Sequence, residues 1–186
     1  RTLRMRGRPK IKLARTYEEA VAIYNKYPNN MLGIVTDVSF KRAGEKDKKA
    51  GLKFCSYIRE KDEFLPIIIE SSEVENQKDA MFLNACFLDK NSKKLPVDLR
   101  KTILRNFGFG DFEFINPHTG EVIATVRNLK DLQNTIMSIP DESLYYHGSR
   151  NHISRWLYSR AMFPIAELLR QKQFTDISES QEMRQL

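Results

Sequence analysis

The stretch that most constrains the fold of this chain is residues 31–40, which read M-L-G-I-V-T-D-V-S-F. A continuous apolar run bounded by polar residues is typical of a strand buried on both faces, as in a parallel sheet covered by helices. The run is broken by one carboxylate, Asp37. Open α/β sheets bind ligands at the carboxyl ends of their strands, so the pattern predicts a functional acid at Asp37.

Strand-like and helix-like patterns alternate through the first half of the chain. Strands are predicted at residues 10–14, 31–36, 64–69 and 85–88, and helices at residues 17–26, 50–60, 73–83 and 96–107. Thr16 is the predicted N-cap of the first helix. Residues 41–49 are polar and contain a glycine, and we interpret them as a loop. This alternation predicts an α/β domain with right-handed crossovers and a parallel sheet.

Three of the predicted strands are followed by polar side chains, Asp37, Ser71 and Lys90. The carboxyl ends of parallel strands lie at one edge of the sheet, so these three side chains are expected to converge. A carboxylate, a hydroxyl and an ammonium group form a plausible site for accepting a phosphoryl group. Asp37 would be the nucleophile, Lys90 would neutralise phosphate charge, and Ser71 would bind a phosphate oxygen. The structural alternative is that each residue only ends its strand.

Asp37 after G-I-V-T, Ser71 after P-I-I-I-E and Lys90 after F-L-D resemble the phosphoacceptor, switch hydroxyl and lysine of the response-regulator receiver family. The resemblance implies a flavodoxin-like sheet in residues 1–107. It also implies that the family's first strand, with the acidic pair that holds Mg²⁺, is absent, so that the domain is N-terminally truncated. Asp37 is then a possible but incomplete Mg²⁺ ligand. We expect either a dimer that covers the gap or a displaced strand at residues 10–14.

Residues 108–173 predict a small α+β module of a hairpin followed by helices. Predicted strands at residues 111–115 and 121–127 flank the turn N-P-H-T-G, and Asn128 is the predicted N-cap of the next helix. Two glycines in F-G-F-G-D-F suggest a phosphate loop, but no G-K-[ST] follows, which favours a tight bend packed by phenylalanines. Residues 174–186 are predicted to be a polar tail or linker.

A polar-aromatic cluster marks the second half of the chain. We interpret it as either a helix-packing seam or a ligand- or partner-docking surface. It contains Tyr145, Tyr146, His147, Arg150, Asn151, His152 and Trp156. His147 and His152 are five positions apart, which does not place two metal ligands on one helical face.

The strings F-G-F-G-D-F, P-D-E-S-L-Y-Y-H, R-N-H-I-S-R-W-L and I-A-E-L-L-R resemble a module that follows a receiver-like domain in phosphoenolpyruvate synthase-like and pyruvate phosphate dikinase-like proteins. The resemblance implies a non-catalytic regulatory region. Its partners would be downstream nucleotide-binding and phosphohistidine domains of the same chain, with ATP and Mg²⁺ as cofactors of that longer protein. The alternative is a two-component response regulator with a DNA- or protein-binding output module.

The net charge of +7 arises at one end of the chain. Residues 1–15 contain seven basic residues and no acid, which leaves 24 basic and 24 acidic residues elsewhere. A neutral body argues against nucleic-acid binding. Cys55 and Cys86 lie in apolar surroundings and are predicted to be free thiols of a cytoplasmic protein. No apolar run is long enough to span a membrane.

Overall fold

The computed structural model describes residues 9–172 and 174–185. The described residues form two compact units, one from Pro9 to Phe107 and the other from Gly108 onward, and the account of each follows separately. Among the described residues, no helix has the length and apolar character needed to cross a bilayer.

The first unit is an α/β structure. Its elements in chain order are α1 (Tyr17–Lys26), β1 (Ile34–Asp37), β2 (Phe40–Arg42), β3 (Glu45–Asp47), α2 (Ala50–Arg59), β4 (Ile67–Ser71), α3 (Asn76–Phe82), β5 (Cys86–Asp89) and α4 (Leu95–Asn106). Strands β1, β4 and β5 form a parallel sheet in the order β1-β4-β5. The α/β class and the parallel sheet expected from the sequence are therefore confirmed.

The strand buried on both faces is β4, not the strand that precedes Asp37. Ile67, Ile68 and Ile69 are all at most 2% exposed, because β4 lies between two strands and its faces are covered by helices. Strand β1 is at the edge of the sheet, and Val35 is 43% exposed. The prediction that residues 31–36 are buried on both faces is wrong, since an apolar run does not reveal which strand is central.

Helices cover the two faces of the sheet unequally. Ile67 and Ile69 pack in one hydrophobic cluster with Cys55 and Ile58 of α2 and Ala80 of α3. On the other face, α4 approaches β5, and its Asn106 side-chain amide lies 3.1 Å from the Cys86 sulfur. No residue of α4 is fully buried, so this second face is the more open one. Both cysteines are free.

Two local predictions in this unit are wrong. Residues 41–49 are not a simple loop, because β2 and β3 pair as an antiparallel hairpin. Its two-residue turn, Ala43 and Gly44, has positive φ at both positions, as a type I′ turn requires. Residues 10–14 are not a strand: they join no sheet, and Ile11 and Leu13 are 96% and 76% exposed. A strand needs a neighbour to satisfy its backbone groups, and no described strand pairs with this segment.

The second unit packs a hairpin against helices. Its elements are β6 (Phe112–Ile115), β7 (Val122–Val126), α5 (Leu129–Ile136), α6 (Asp141–Ser149), α7 (His152–Ser159), α8 (Phe163–Gln171) and α9 (Ser180–Gln185). Asn128 caps α5 as predicted, accepting a bond from the Asp131 backbone N–H at 3.0 Å. The polar segment at residues 174–186 was expected to be a tail, but α9 forms there and Met183 joins the core beside Phe174.

Gly51 in the first turn of α2 positions the backbone of Asp37. A Cβ atom at Gly51 would lie 1.9 Å from the Asp37 carbonyl oxygen, and the Gly51 N–H donates to the Val38 carbonyl oxygen at 2.9 Å. The helix therefore approaches the end of β1 more closely than any residue with a side chain permits.

Replacement Gly51→Ala should destabilise the first unit by roughly 1–3 kcal/mol, the usual cost of overpacking. A loss of stability is informative here, because alanine normally stabilises a helix by about 1 kcal/mol relative to glycine. Urea unfolding monitored by circular dichroism measures the effect. Ser56→Ala, at an exposed position of the same helix, is the matched control and should change stability by less than about 0.5 kcal/mol. Equal stability of Gly51→Ala and the wild type would contradict the close contact.

Candidate functional site

The ends of the three parallel strands form the first candidate site. Asp37 ends β1 and pairs in register with Glu70 of β4, and Lys90 follows β5. The Lys90 Nζ atom lies 2.5 Å from Asp37 Oδ1. The Asp37 side chain is 50% exposed and that of Lys90 is 32% exposed, so solvent and small solutes reach the pair. The structure thus brings together two of the three residues predicted from the sequence.

Ser71 lies at the same edge of the sheet, but its hydroxyl group is bonded elsewhere. Its oxygen accepts hydrogen bonds from the Glu73 backbone N–H and the Asn76 side-chain amide, both at 3.0 Å. Ser71 follows the register partner of Asp37 by one residue, on the face that carries Ile67 and Ile69. In this structure the Ser71 hydroxyl group therefore bonds the loop after β4 and the Asn76 side chain at the start of α3, and it forms no hydrogen bond with the Asp37–Lys90 pair.

Backbone and amide contacts fix Lys90 in front of Asp37. The Lys90 N–H donates to the Ser71 carbonyl oxygen at 2.9 Å, which continues the β4–β5 ladder by one bond. The next residue, Asn91, donates from its side-chain amide to the Ser72 carbonyl oxygen at 2.9 Å. Asn91 therefore ties the loop after β4 to the loop after β5. Sequence reasoning missed this role, because an asparagine after a lysine carries no recognisable signal.

One polar atom near this site lacks a partner. The Ser39 hydroxyl oxygen, two residues after Asp37, is buried and has no hydrogen-bond partner in the structure. Buried hydroxyl groups are normally bonded.

The described residues do not fit a complete Mg²⁺ site. Over residues 9–172 and 174–185, no three Asp, Glu, His or Cys side chains group together as ligands. Asp37, which the receiver resemblance makes a possible ligand, already bonds Lys90. Mg²⁺ needs near-octahedral oxygen coordination with more than one anchoring group. No chemical step is therefore derived through the metal.

The second candidate, the polar-aromatic cluster, is largely an internal seam. Trp156 is 1% exposed, and its indole N–H donates to the Gly110 carbonyl oxygen at 3.0 Å. Arg160 donates to the carbonyl oxygens of Gly108 and Gly110 at 2.7 and 2.8 Å. The two glycines therefore direct carbonyl groups toward α7. A phosphate loop presents N–H groups, so the bend reading of this segment is the better one.

The remaining members of the cluster also have partners inside the second unit. The Tyr145 hydroxyl donates to the Thr175 carbonyl oxygen at 3.2 Å, and the Arg150 guanidinium stacks over the Tyr146 ring at 4.1 Å. Asn151 adopts a left-handed conformation, with φ of 57°, between α6 and α7. These contacts support the helix-packing interpretation of the cluster over the docking interpretation.

His147 and His152 lie within hydrogen-bond distance inside this seam, and the donor and acceptor of their bond can be assigned. The His147 Nε2 atom accepts a hydrogen bond from the Ile115 backbone N–H at 3.0 Å, so its proton resides on Nδ1. Its Nδ1 atom lies 3.1 Å from Nδ1 of His152, which must then accept and carry its own proton on Nε2. Because one of the facing nitrogens is protonated, the pair does not offer two free nitrogens to a metal ion.

Burial holds both histidines neutral. It lowers the pKa of His147 from 6.5 to about 4, with a smaller contribution from the nearby Arg150. It lowers the pKa of His152 to about 3, with contributions from His147, Arg155 and Arg150. Protonation of His147 would also place a second donor opposite the Ile115 N–H.

The second unit should lose stability as the pH falls from about 6.5 toward 4. Unfolded histidines bind protons in this range while the folded pair does not, so the free energy of unfolding decreases with decreasing pH. Each histidine contributes a slope of up to about 1.4 kcal/mol per pH unit. Urea unfolding at several pH values, read by fluorescence of Trp156, the single tryptophan, reports on this unit alone.

The matched variants for this titration are His147→Gln and His118→Gln. His118 lies in the hairpin turn with a 75% exposed side chain, so its replacement should leave the pH slope unchanged. Replacement of His147 should reduce the slope. An unfolding free energy that is independent of pH between 4 and 6.5 in the wild type would contradict the buried neutral pair.

A comparison of the chain with protein-family models, with curated proteins and with solved structures finds no match, so the case for its function depends on the geometry of the strand ends.

Proposed function

We propose that residues Pro9–Phe107 are a receiver-like phosphoacceptor unit in the non-catalytic regulatory region of a phosphoenolpyruvate synthase-like phosphotransferase. The longer protein would convert ATP and pyruvate to phosphoenolpyruvate. The observation that carries the proposal is the contact between Lys90 Nζ and Asp37 Oδ1, at 2.5 Å, at the carboxyl edge of a parallel sheet. This edge is where open α/β sheets bind their ligands.

The contact suits phosphoryl transfer to a carboxylate. An Asp37 oxygen would attack phosphorus while the bond to the donor's leaving group breaks, giving an acyl phosphate. The Lys90 ammonium group, already beside the carboxylate, would neutralise the charge that phosphate adds.

The sheet topology also supports a flavodoxin-like assignment. A receiver sheet has the strand order 2-1-3-4-5, so its third, fourth and fifth strands are neighbours. In the present chain β1, β4 and β5 have that adjacency and are all parallel; a helix follows β4 and β5 directly, whereas the β2–β3 hairpin separates β1 from α2. Ser71, at the end of β4, would be the switch hydroxyl. It would act by leaving its bonds to Glu73 and Asn76 for a phosphate oxygen.

The second unit is proposed to be a further regulatory module of the same chain. The alternative of a DNA-reading output module has weaker support, because the arginines of α7 and its end are engaged internally. Arg155 is 7% exposed, and Arg160 bonds two carbonyl oxygens and stacks on Trp156 at 3.8 Å. A recognition helix needs such side chains free to contact base edges.

Acetyl phosphate with Mg²⁺ should not modify Asp37 stoichiometrically in this 186-residue chain, because the proposed transfer needs metal ligands that the described residues do not supply. A single carboxylate that is already paired with Lys90 is a poor anchor for the metal that such transfer requires. Intact-mass spectrometry after incubation measures the modification. Stoichiometric phosphorylation of the wild type that disappears in Asp37→Asn would show that the described residues suffice for transfer.

The regulatory role is tested in a longer protein that carries these residues ahead of its catalytic domains. Removal of residues 1–172 should leave pyruvate-dependent ATP turnover measurable. Asp37→Asn should change the response of that turnover to phosphodonors, whereas Asp79→Asn, an exposed acid on α3, should not. Complete loss of turnover in a folded truncation would contradict a merely regulatory region.

A further inference from the structure

Strand β1 has an open edge at which another strand could pair. It pairs with β4 on one side, and among the described residues no strand lies on its other side. The Ile34 N–H donates to the Pro66 carbonyl oxygen at 2.9 Å. Successive residues of a strand direct their backbone groups to opposite sides, so the N–H of Val35 faces the open edge. Residues 32–36 contain no charge or proline, the features that normally discourage pairing at an edge.

The same chain carries a strand-like segment that pairs with no strand among the described residues. Residues 9–14, P-K-I-K-L-A, alternate lysine with Ile11 and Leu13, which is the two-residue period of a half-buried strand. Yet these residues form no strand, and Ile11 and Leu13 are 96% and 76% exposed. Two large apolar side chains in regular alternation, both in water, indicate a strand whose partner is outside the folded unit.

We propose that residues 9–14 of a second copy of this chain add as a strand to the open edge of β1, and that the exchange is reciprocal. Residues 9–14 are tethered to their own molecule, because Thr16 caps α1 and forms a backbone bridge with Lys41 of the β2–β3 hairpin. The same segment of a second copy is not tethered to this molecule's α1. Both elements are present once in each copy, so a reciprocal exchange closes a symmetric dimer in which both β1 edges are covered.

The proposed pairing accounts for the exposed side chains. With Ile11 and Leu13 on the face of the sheet that carries Val35, all three apolar side chains leave water together, which favours association. Backbone hydrogen bonds between residues 9–14 of one copy and the open side of β1 at Val35 of the other would fix the register of the added strand, as in other cases of strand addition. The interaction involves the strand edge and not the Asp37 carboxylate, so it does not depend on the phosphoacceptor proposal.

Sedimentation velocity of the full chain over a wide concentration range tests the proposal. The wild type should change from the 21.8 kDa monomer to a dimer as concentration rises. Both Ile11→Lys/Leu13→Lys and Val35→Lys should weaken the dimer by at least about tenfold in Kd, a modest loss on the free-energy scale. Phe82→Lys is the matched control, since Phe82 is 91% exposed on α3 of the same unit, and it should leave the dimer unchanged.

Amide hydrogen exchange identifies the surface. Protection at residues 10–14 and at Val35 should increase with concentration in the wild type and in Phe82→Lys, and stay low in Ile11→Lys/Leu13→Lys. The altered side chains are exposed, so circular dichroism should confirm native folding of all variants. A monomer at every concentration, a dimer insensitive to Ile11→Lys/Leu13→Lys, or protection of Val35 that does not depend on concentration would each overturn the proposal.

Discussion

The first unit depends on the double burial of strand β4. Ile67, Ile68 and Ile69 fill both faces of this strand, and its backbone pairs with β1 on one side and β5 on the other. Burial of each isoleucine contributes on the order of 2 kcal/mol. Backbone pairing with this strand determines where Asp37 and Lys90 lie in the candidate site. Asp37 is aligned with Glu70 by the β1–β4 register, and Lys90 is aligned by the bond from its N–H to the Ser71 carbonyl oxygen.

In the second unit, the arrangement of the elements depends on buried polar side chains that are hydrogen-bonded to backbone groups. His147 bonds the Ile115 N–H, Trp156 bonds Gly110, and Arg160 bonds both Gly108 and Gly110. A buried polar group without its partner costs about 1–3 kcal/mol, so such a network fixes one arrangement of the hairpin on the helices. A dense run of tyrosine, histidine, arginine and tryptophan is thus explained without an external ligand.

The sequence predicted best those features whose causes are local. Helix α1 begins after Thr16 and ends at Lys26 as expected, because its cap and its apolar spacing lie within ten residues. The polar residues at the strand ends were also found, since a change from apolar to polar residues marks the end of a buried strand. The meeting of Asp37 with Lys90 followed from the parallel arrangement alone.

The errors concern properties that depend on distant parts of the chain. Which apolar strand is central depends on the order of strands, so the double burial was assigned to residues 31–36 and belongs to β4. The segment 174–186 is polar in composition, yet Met183 finds a place in the core and α9 forms around it. Residues 10–14 have the alternation of a strand, but alternation does not supply a neighbour. The bond from Ser71 to α3 depends on Asn76, five residues later, which no strand-end pattern reveals.

The position of Asp37 on an edge strand links the two proposals physically. Asp37 is the last residue of β1, and β1 is held by β4 on one side only. A strand added to its free side would restrict the backbone that carries the carboxylate, whereas Lys90 is held by the opposite side of the sheet through its bond to Ser71. A ligand that displaces Asp37 would therefore also displace the edge to which a second strand is proposed to bind. By linkage, such a ligand would change the affinity of the edge for the second strand, and occupancy of the edge would change the affinity of the Asp37–Lys90 pair for that ligand by the same factor.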